Sequence, residues 1–275
     1  MDLGLNGAAV CISGGTKGMG YATALAFARE KARIVVTGRD RSRLDHTVAQ
    51  LLEAGAPDAF GVRCELPRLD EIEVLFQTIE RRWGELNTLV NMAGPTEGSH
   101  FDREFAETTD ESWEYFFQMG IMSVVRCTRL AIPLMRKAGW GRVINVSSQS
   151  ARIAGTRECG YMTVKAGLNA LSKNMAWTYA KENILVNSIT PGAVATEAMA
   201  ERMASTGAVT QGYDPQDLVS VGRFIAEYVG PRARGIIGRA GLPEEIAPQI
   251  VLLGSKLSSF IVGSNIAIDG GSDFS

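Results

Sequence analysis

The chain has 275 residues, 45% hydrophobic and 21% charged, with 28 Lys and Arg against 30 Asp and Glu for a formal net charge of −2. This is the balance of a globular protein with a sizeable core; it has no basic run to hold nucleic acid or an anionic membrane surface, and no apolar stretch near the ~18 residues of a membrane span. The start, MDLGLNGAAVCISGG, lacks the basic region and long apolar core of a secretory signal, and the scattered Cys11, Cys64, Cys127 and Cys159 form no cluster with His46 or His100, so reduced thiols in a cytoplasmic protein are expected and a metal site is not.

Short β-branched runs alternate with helical patterns along the chain. AAVCISG precedes a helix from about Met19 to Lys31, RIVVTG precedes Arg41 to Ala54, and AFGVRCEL precedes Leu69 to Trp83. NTLVNMAG, a long helix from Ser112 to Met135, GRVINVSS, a helix through Tyr161–Lys181, ILVNSITPG and SNIAIDGG follow. The order β-α-β-α with nearly continuous apolar strands predicts an α/β fold, a doubly wound parallel sheet of about seven strands with helices on both faces. No repeat or linker divides the pattern, so residues 1–275 are expected to form one domain. Gly14, Gly38, Gly94 and Gly192 recur at strand ends, where open α/β sheets bind ligands.

The first strand runs into its helix through CISGGTKGMGYATALAF, with Gly14, Gly18 and Gly20 spaced G-x3-G-x-G around Thr16, Lys17 and Met19. Glycine permits the tight turn and lets backbone N–H groups and the helix N-terminus approach a pyrophosphate. An ordinary Gly-rich turn is the alternative, but the first position in the chain is where dinucleotide folds place this motif. The tip of the second strand, Thr37-Gly38-Arg39, carries no acid to accept a ribose 2′-OH. Arg39 presents a planar fork suited to phosphate and Lys17 adds a second cation, which favours NADP(H). NAD(H) stays open, because Asp40 is within reach of a ribose and both cations also read as solvated surface.

In SWEYFFQMGIMSVVRCTRLAIPLM, Trp113, Phe117, Gly120, Val124, Cys127, Ala131 and Leu134 recur at steps of three and four. Gly120 therefore falls on the buried stripe, although an interior glycine costs a helix about 1 kcal/mol relative to alanine. Phe116, Met119, Met122 and Val125 lie off that stripe and make the helix apolar nearly all round.

In VINVSSQSARIAGTRECGYMTVKAG, Tyr161 and Lys165 are four apart and share one helix face. An adjacent ammonium favours the phenolate and makes such a pair useful for moving a proton to or from a carbonyl oxygen. A lone YxxxK is a common accident, but Ser148, at the end of the preceding strand, places a hydroxyl where it can bond the same oxygen.

Together, SGGTKGMG, NMAG (Asn91–Gly94), Ser148, Tyr161-xxx-Lys165, NSITPGAVAT (Asn187–Thr196) and IDGG (Ile268–Gly271) resemble, in order and spacing, the short-chain dehydrogenase/reductase family over essentially the whole chain. The resemblance implies a single-domain Rossmann fold and, among its members, a 3-oxoacyl-thioester-reductase-like pattern. It implies Tyr161 as proton donor to a carbonyl, Lys165 holding the nicotinamide ribose and lowering the tyrosine's pKa, and Ser148 orienting the substrate. Asn91, Ala93 and Gly94 would shape the cofactor pocket, Pro191, Gly192, Val194 and Thr196 would hold the carboxamide, and Glu65 with Leu66 would stand at the adenine, where many members carry aspartate. Gly120 falls where most members have an asparagine that distorts the helix and positions a water for a proton relay. Either its main-chain carbonyl still holds that water, or the relay is broken and the chain is a dinucleotide-binding sensor or scaffold.

Two segments are long for the family: Pro95–Glu111, and Glu197–Gly238, where the resemblance implies a substrate lid. Met199, Met203, Phe224, Ile225, Tyr228 and Val229 give the lid either an apolar underside or ordinary helix packing, and its length points to a bulky or hydrophobic carbonyl or alcohol substrate. Arg152, Arg157 and Glu158 stand either toward a polar substrate group or in solvent. The expected activity is an NADPH-dependent carbonyl reductase. The family also implies a homotetramer or homodimer packed through the Ser112–Met135 and Tyr161–Lys181 helices.

Overall fold

The computed structural model describes residues 1–95, 104–153, 155, 158–205, 212–228 and 235–273. Seven strands form one parallel sheet: β1 (Ala9–Ser13), β2 (Arg33–Gly38), β3 (Ala59–Arg63), β4 (Thr88–Asn91), β5 (Gly141–Val146), β6 (Ile184–Pro191) and β7 (Asn265–Ile268), in the order β3-β2-β1-β4-β5-β6-β7. Every expected strand is present. The chain reverses direction across the sheet between β1 and β4, so the carboxyl ends of those two strands open a crevice.

Alternation along the strands splits the core into two layers. Val10 and Ile12 face one side with Ile34, Val36 and Val90, and there they meet Phe27 of α1 (Gly18–Arg29), Leu44 and Leu51 of α2 (Arg41–Glu53), and Ile246 and Ile250 of the helix Pro243–Leu253. Ala9, Cys11, Leu89 and Val143 face the other side. They meet Ile72, Leu75 and Ile79 of α3 (Leu69–Trp83), Val124, Cys127 and Ala131 of the helix that follows Gly120, and Leu168 of the helix Cys159–Tyr179. Cys11, Cys64 and Cys127 lie buried in this second layer, and burial pushes the Cys64 thiol up to about 12 and the other two upward as well. No helix among the described residues is long and apolar enough to cross a membrane.

The long helix expected from Ser112 to Met135 is two helices joined by a wider turn. Helix α4 (Asp110–Phe117) passes into a π-helical turn over Gln118–Met122 and then into α5 (Ser123–Ala138). The Ser123 N–H reaches back five residues to the Gln118 carbonyl. That insertion shifts the phase of the stripe: Phe116 is buried at 3% exposure while Phe117 stands 46% exposed, the reverse of the expectation from uninterrupted helical periodicity.

The turn is built against α6 (Cys159–Tyr179) through two glycine notches. A Cβ on Gly160 would lie 2.4 Å from Phe116 Cδ2, and a Cβ on Gly120 would lie 2.6 Å from Val164 Cγ2 and 2.9 Å from Val164 Cβ. Gly120 has no side chain because the branched Val164, next to Lys165, occupies that volume.

Beyond β6 the segment expected as a lid contains α7 (Glu197–Ser205) and α8 (Leu218–Tyr228), and α9 (Pro243–Leu253) follows it. Met203, Tyr213, Val221, Phe224 and Ile225 close a third small core with Ala195, Ala200 and Ala240. Met203, Phe224 and Ile225, with Met199 packed against them, therefore serve ordinary helix packing, whereas Val219, Ile236 and Ile237 of the same segment stand exposed. Val229 lies outside the described residues.

Helix propensity alone predicts that Gly120→Ala stabilises the protein, whereas overlap with Val164 predicts a loss of about 1–3 kcal/mol. In urea denaturation we expect the loss, and we expect the Gly120→Ala/Val164→Ala double variant to be less destabilised than the sum of its single changes. Additive losses would show that Val164 does not define the notch.

Candidate active site

The turn after β1 is held from the tip of β2. Gly14 N donates to Thr37 Oγ1 at 3.0 Å, and Gly15 N donates to the Thr37 carbonyl at 3.2 Å. Gly14 takes φ +75° and Gly18 φ +53°, a region side chains avoid. At Gly20 a Cβ would stand 2.1 Å from the Gly14 carbonyl oxygen, so backbone packs directly on backbone there.

This turn borders a cavity of about 590 Å³ that brings together Gly14, Thr16, Lys17, Gly18, Met19, Gly20, Arg39, Glu65, Leu66, Ala93, Gly94 and Thr196 from the sequence-derived set. It also takes in Arg43, Tyr115, Met119 and Glu197, which the sequence reading missed. Arg43 had a signal: it stands four residues beyond Arg39, in the first turn of α2, and both cations border the cavity with Lys17. Asp40, offered as a ribose acceptor, is the N-cap of α2, where its Oδ1 accepts from Arg43 N at 3.0 Å. Glu65 lines the cavity, but its carboxylate is paired with Arg63 at 2.7 Å.

Six expected cofactor residues lie apart from the cavity lining: Tyr161 and Lys165, and with them Asn91, Pro191, Gly192 and Val194. Asn91 is 3% exposed, and its amide donates to Asn145 Oδ1 at 2.8 Å and to Thr128 Oγ1 at 3.3 Å. Its role in this structure is to clamp β4 to β5. Pro191 ends β6, Gly192 N donates to the Ile268 carbonyl at 3.1 Å, and Val194 bridges to Gly241, so these three build the base from which Thr196 reaches the cleft.

Ser148, Tyr161 and Lys165 meet at the carboxyl end of β5. Ser148 caps the short turn Gln149–Ala151, accepting from Ser150 N at 3.2 Å, and it also hydrogen-bonds Tyr161. Lys165 is 4% exposed; its Nζ donates to the Val146 carbonyl at 2.7 Å and stands 5.6 Å from the Tyr161 ring centre. A Cβ on Gly94 would lie 3.1 Å from Lys165 Nζ, so this glycine opens the cavity wall beside the ammonium.

Burial raises the Tyr161 pKa above its ordinary value of 10.0; the Ser148 hydrogen bond opposes the rise, and the Glu158 carboxylate adds to it. The expectation that Lys165 lowers the tyrosine is thus outweighed by desolvation, and the phenol stays protonated at neutral pH. Burial also pushes the Lys165 ammonium down to about 8.

The wall beside this trio is polar. Ser150 Oγ donates to Glu158 Oε2 at 3.3 Å, Gln149 is hydrogen-bonded to Ser272, and Arg152 pairs with Asp273 at 3.2 Å. Arg152 is thus matched by a carboxylate, and Arg157 lies outside the described residues.

Comparison with known proteins shows the family. The family model for short chain dehydrogenase matches residues 8–206. The oxidoreductase YvrD of Bacillus subtilis, itself uncharacterized, is 32% identical over 98% of both chains. The 3-oxoacyl-[acyl-carrier-protein] reductase FabG of Aquifex aeolicus is 28% identical over 98% of this chain and 99% of its own length. Among solved structures, L-sorbose reductase from Gluconobacter frateurii, complexed with NADPH and L-sorbose, superposes with a TM-score of 0.90 at 29% identity, covering 100% of each chain.

The Lys165 environment sets a pH dependence of stability. With its folded value near 8 against an ordinary 10.5, the unfolded chain holds a proton through that interval that the folded chain has released, so stability rises with pH across it. Urea midpoints of wild type and Lys165→Met, taken near pH 7 and near pH 10, should shift in favour of wild type at the higher pH. An equal gap at both would show that Lys165 is not desolvated.

Proposed function

The chain belongs to the short-chain dehydrogenase family, and on that footing we propose that it is an NADPH-dependent reductase of ketones, reversible as a secondary-alcohol dehydrogenase. The observation that carries this reading is the meeting of Ser148, Tyr161 and Lys165 behind Gly94, a lining residue of the cavity that Gly14, Gly18 and Gly20 also border. The residues present fit a dinucleotide. The N–H groups from Gly18 to Gly20 face the place for a pyrophosphate, Lys17, Arg39 and Arg43 that for a 2′-phosphate, and Leu66 and Glu65 that for the adenine. Lys165 and Thr196 stand toward the nicotinamide end.

When bound, the nicotinamide supplies the hydride to the carbonyl carbon. Tyr161 gives its phenolic proton to the carbonyl oxygen, and Ser148 donates a hydrogen bond to the same oxygen, fixing its position. The Lys165 ammonium, held by the Val146 carbonyl, stabilises the phenolate left on Tyr161. A water on the main chain at Gly120 returns the proton. The π turn supports this step, since it keeps the helix irregular where other members use an asparagine.

For the substrate we infer a small polar ketone rather than a bulky apolar one. Gln149, Ser150 and Glu158 set polar groups beside the trio, and Met203, Phe224 and Ile225 are engaged in a core of their own. The L-sorbose complex of the structural neighbour supports the same class. A 3-oxoacyl thioester is the second reading, favoured by the FabG relative. Assembly through α4, α5 and α6 is supported by Phe117 at 46% and Trp177 at 91% exposure on these helices.

NADPH oxidation should be measured with a panel that includes a ketose, a 3-oxoacyl thioester and an aliphatic ketone, with the ketose expected to give the highest kcat/KM. Tyr161→Phe should lower kcat about 10²–10⁴-fold. Equal rates in wild type and Tyr161→Phe would leave the sensor or scaffold reading.

Replacing Arg39 and Arg43 with alanine should raise KM for NADPH roughly 10- to 100-fold and leave KM for NADH nearly unchanged, as expected for lost charge-assisted contacts to phosphate. Unchanged NADPH preference in the double variant would remove the basis for NADP.

A further inference from the structure

Helix α1 begins without a cap of its own. Lys17, at the N-cap, makes no side-chain cap hydrogen bond, and no acidic residue lies in the first turn. The leading N–H groups of such a helix are unmatched donors at its positive end. One of them is met from a distant part of the chain: Gly18 N donates to Glu197 Oε2 at 3.0 Å. Glu197 is the first residue of α7, at the opening of the lid. The contact is close, since a Cβ on Gly18 would lie 3.3 Å from Thr196 Cγ2 and 3.6 Å from Glu197 Oε2. Gly18, Thr196 and Glu197 all border the same cavity.

A carboxylate and a pyrophosphate satisfy this helix end in the same way, each offering anionic oxygens to the leading N–H groups. Both cannot sit there at once, because like charges a few ångströms apart repel. We propose that Glu197 is an internal occupant of the pyrophosphate cradle: it latches the lid helix to the cofactor loop, and the pyrophosphate of the dinucleotide displaces it and frees the start of the lid. The inference rests on the dinucleotide reading above. Glu197 is exposed, and after release it still lies in the first turn of α7, where the helix dipole favours a carboxylate. The latch therefore opens at little cost. Its consequence is order: the cofactor docks first, and only then is the lid free to rearrange over a substrate.

Binding should be titrated in wild type, Glu197→Gln and Glu197→Ala with three probes: NADPH, ADP-ribose, and adenosine 2′-phosphate, which lacks a pyrophosphate. NADPH and ADP-ribose should bind both variants roughly three- to tenfold more tightly, as removal of a competing helix-end anion predicts, with adenosine 2′-phosphate unchanged. The nucleotide-free Tm should fall in the variants, while at saturating NADPH it should match wild type; a merely structural cap would lower both. Unchanged or weaker NADPH binding by Glu197→Gln, or an equal gain for adenosine 2′-phosphate, overturns the latch alone. Failure of wild type to bind NADPH or NADH overturns the dinucleotide reading, and the latch with it.

Discussion

The closest glycine contact among the described residues is that of backbone with backbone after β1, where a Cβ on Gly20 would fall 2.1 Å from the Gly14 carbonyl oxygen. Because α1 starts that close to the strand, its N–H groups point into the crevice between β1 and β4 instead of into solvent. The remaining features of the site follow from this placement. The tip of β2 must lie alongside to hold Gly14 and Gly15, which brings Arg39 and Arg43 to the cavity, and the start of α7 can reach Gly18 only because no side chain intervenes. A single side chain at residue 20 would separate α1 from the sheet and move all of these together.

The fold was legible in the sequence because parallel strands buried on both faces must be apolar throughout, and the seven expected runs are the seven strands. What misled was periodicity across Gly120. A 3.6-residue repeat assumes one helical pitch, and the π turn widens it for five residues, so the stripe exchanges Phe117 for Phe116. Nothing in the spacing marked the change of pitch. The glycine did mark it, though for a reason that lies in the facing helix, at Val164.

Within the site, the trio of Ser148, Tyr161 and Lys165 was legible because it depends on helix spacing and a strand end, both local properties. The electrostatic balance was not. An ammonium four residues from a tyrosine suggests a lowered pKa, yet burial of both groups dominates, and only the folded environment sets that sign. The spacing was equally silent on the partner of Asn91, whose amide is turned to Asn145. Glu197 left no signal, because its partner lies 179 residues earlier in the chain.

That inward turn of Asn91 reaches the reacting groups by another route. Asn91 donates to Asn145, the Asn145 amide donates to Ser172 Oγ at 2.8 Å, and the Ser172 hydroxyl donates to the Leu168 carbonyl at 2.7 Å, one turn from Lys165 on the same helix. Apolar packing tolerates a helix sliding a fraction of an ångström along a sheet, since one methyl contact replaces another at nearly equal energy. A chain of buried hydrogen bonds does not, because each bond lost leaves a desolvated polar atom. The amide ladder therefore acts as a vernier: it sets the axial position of α6 against β4 and β5, and with it the height at which the tyrosine hydroxyl meets the end of the sheet.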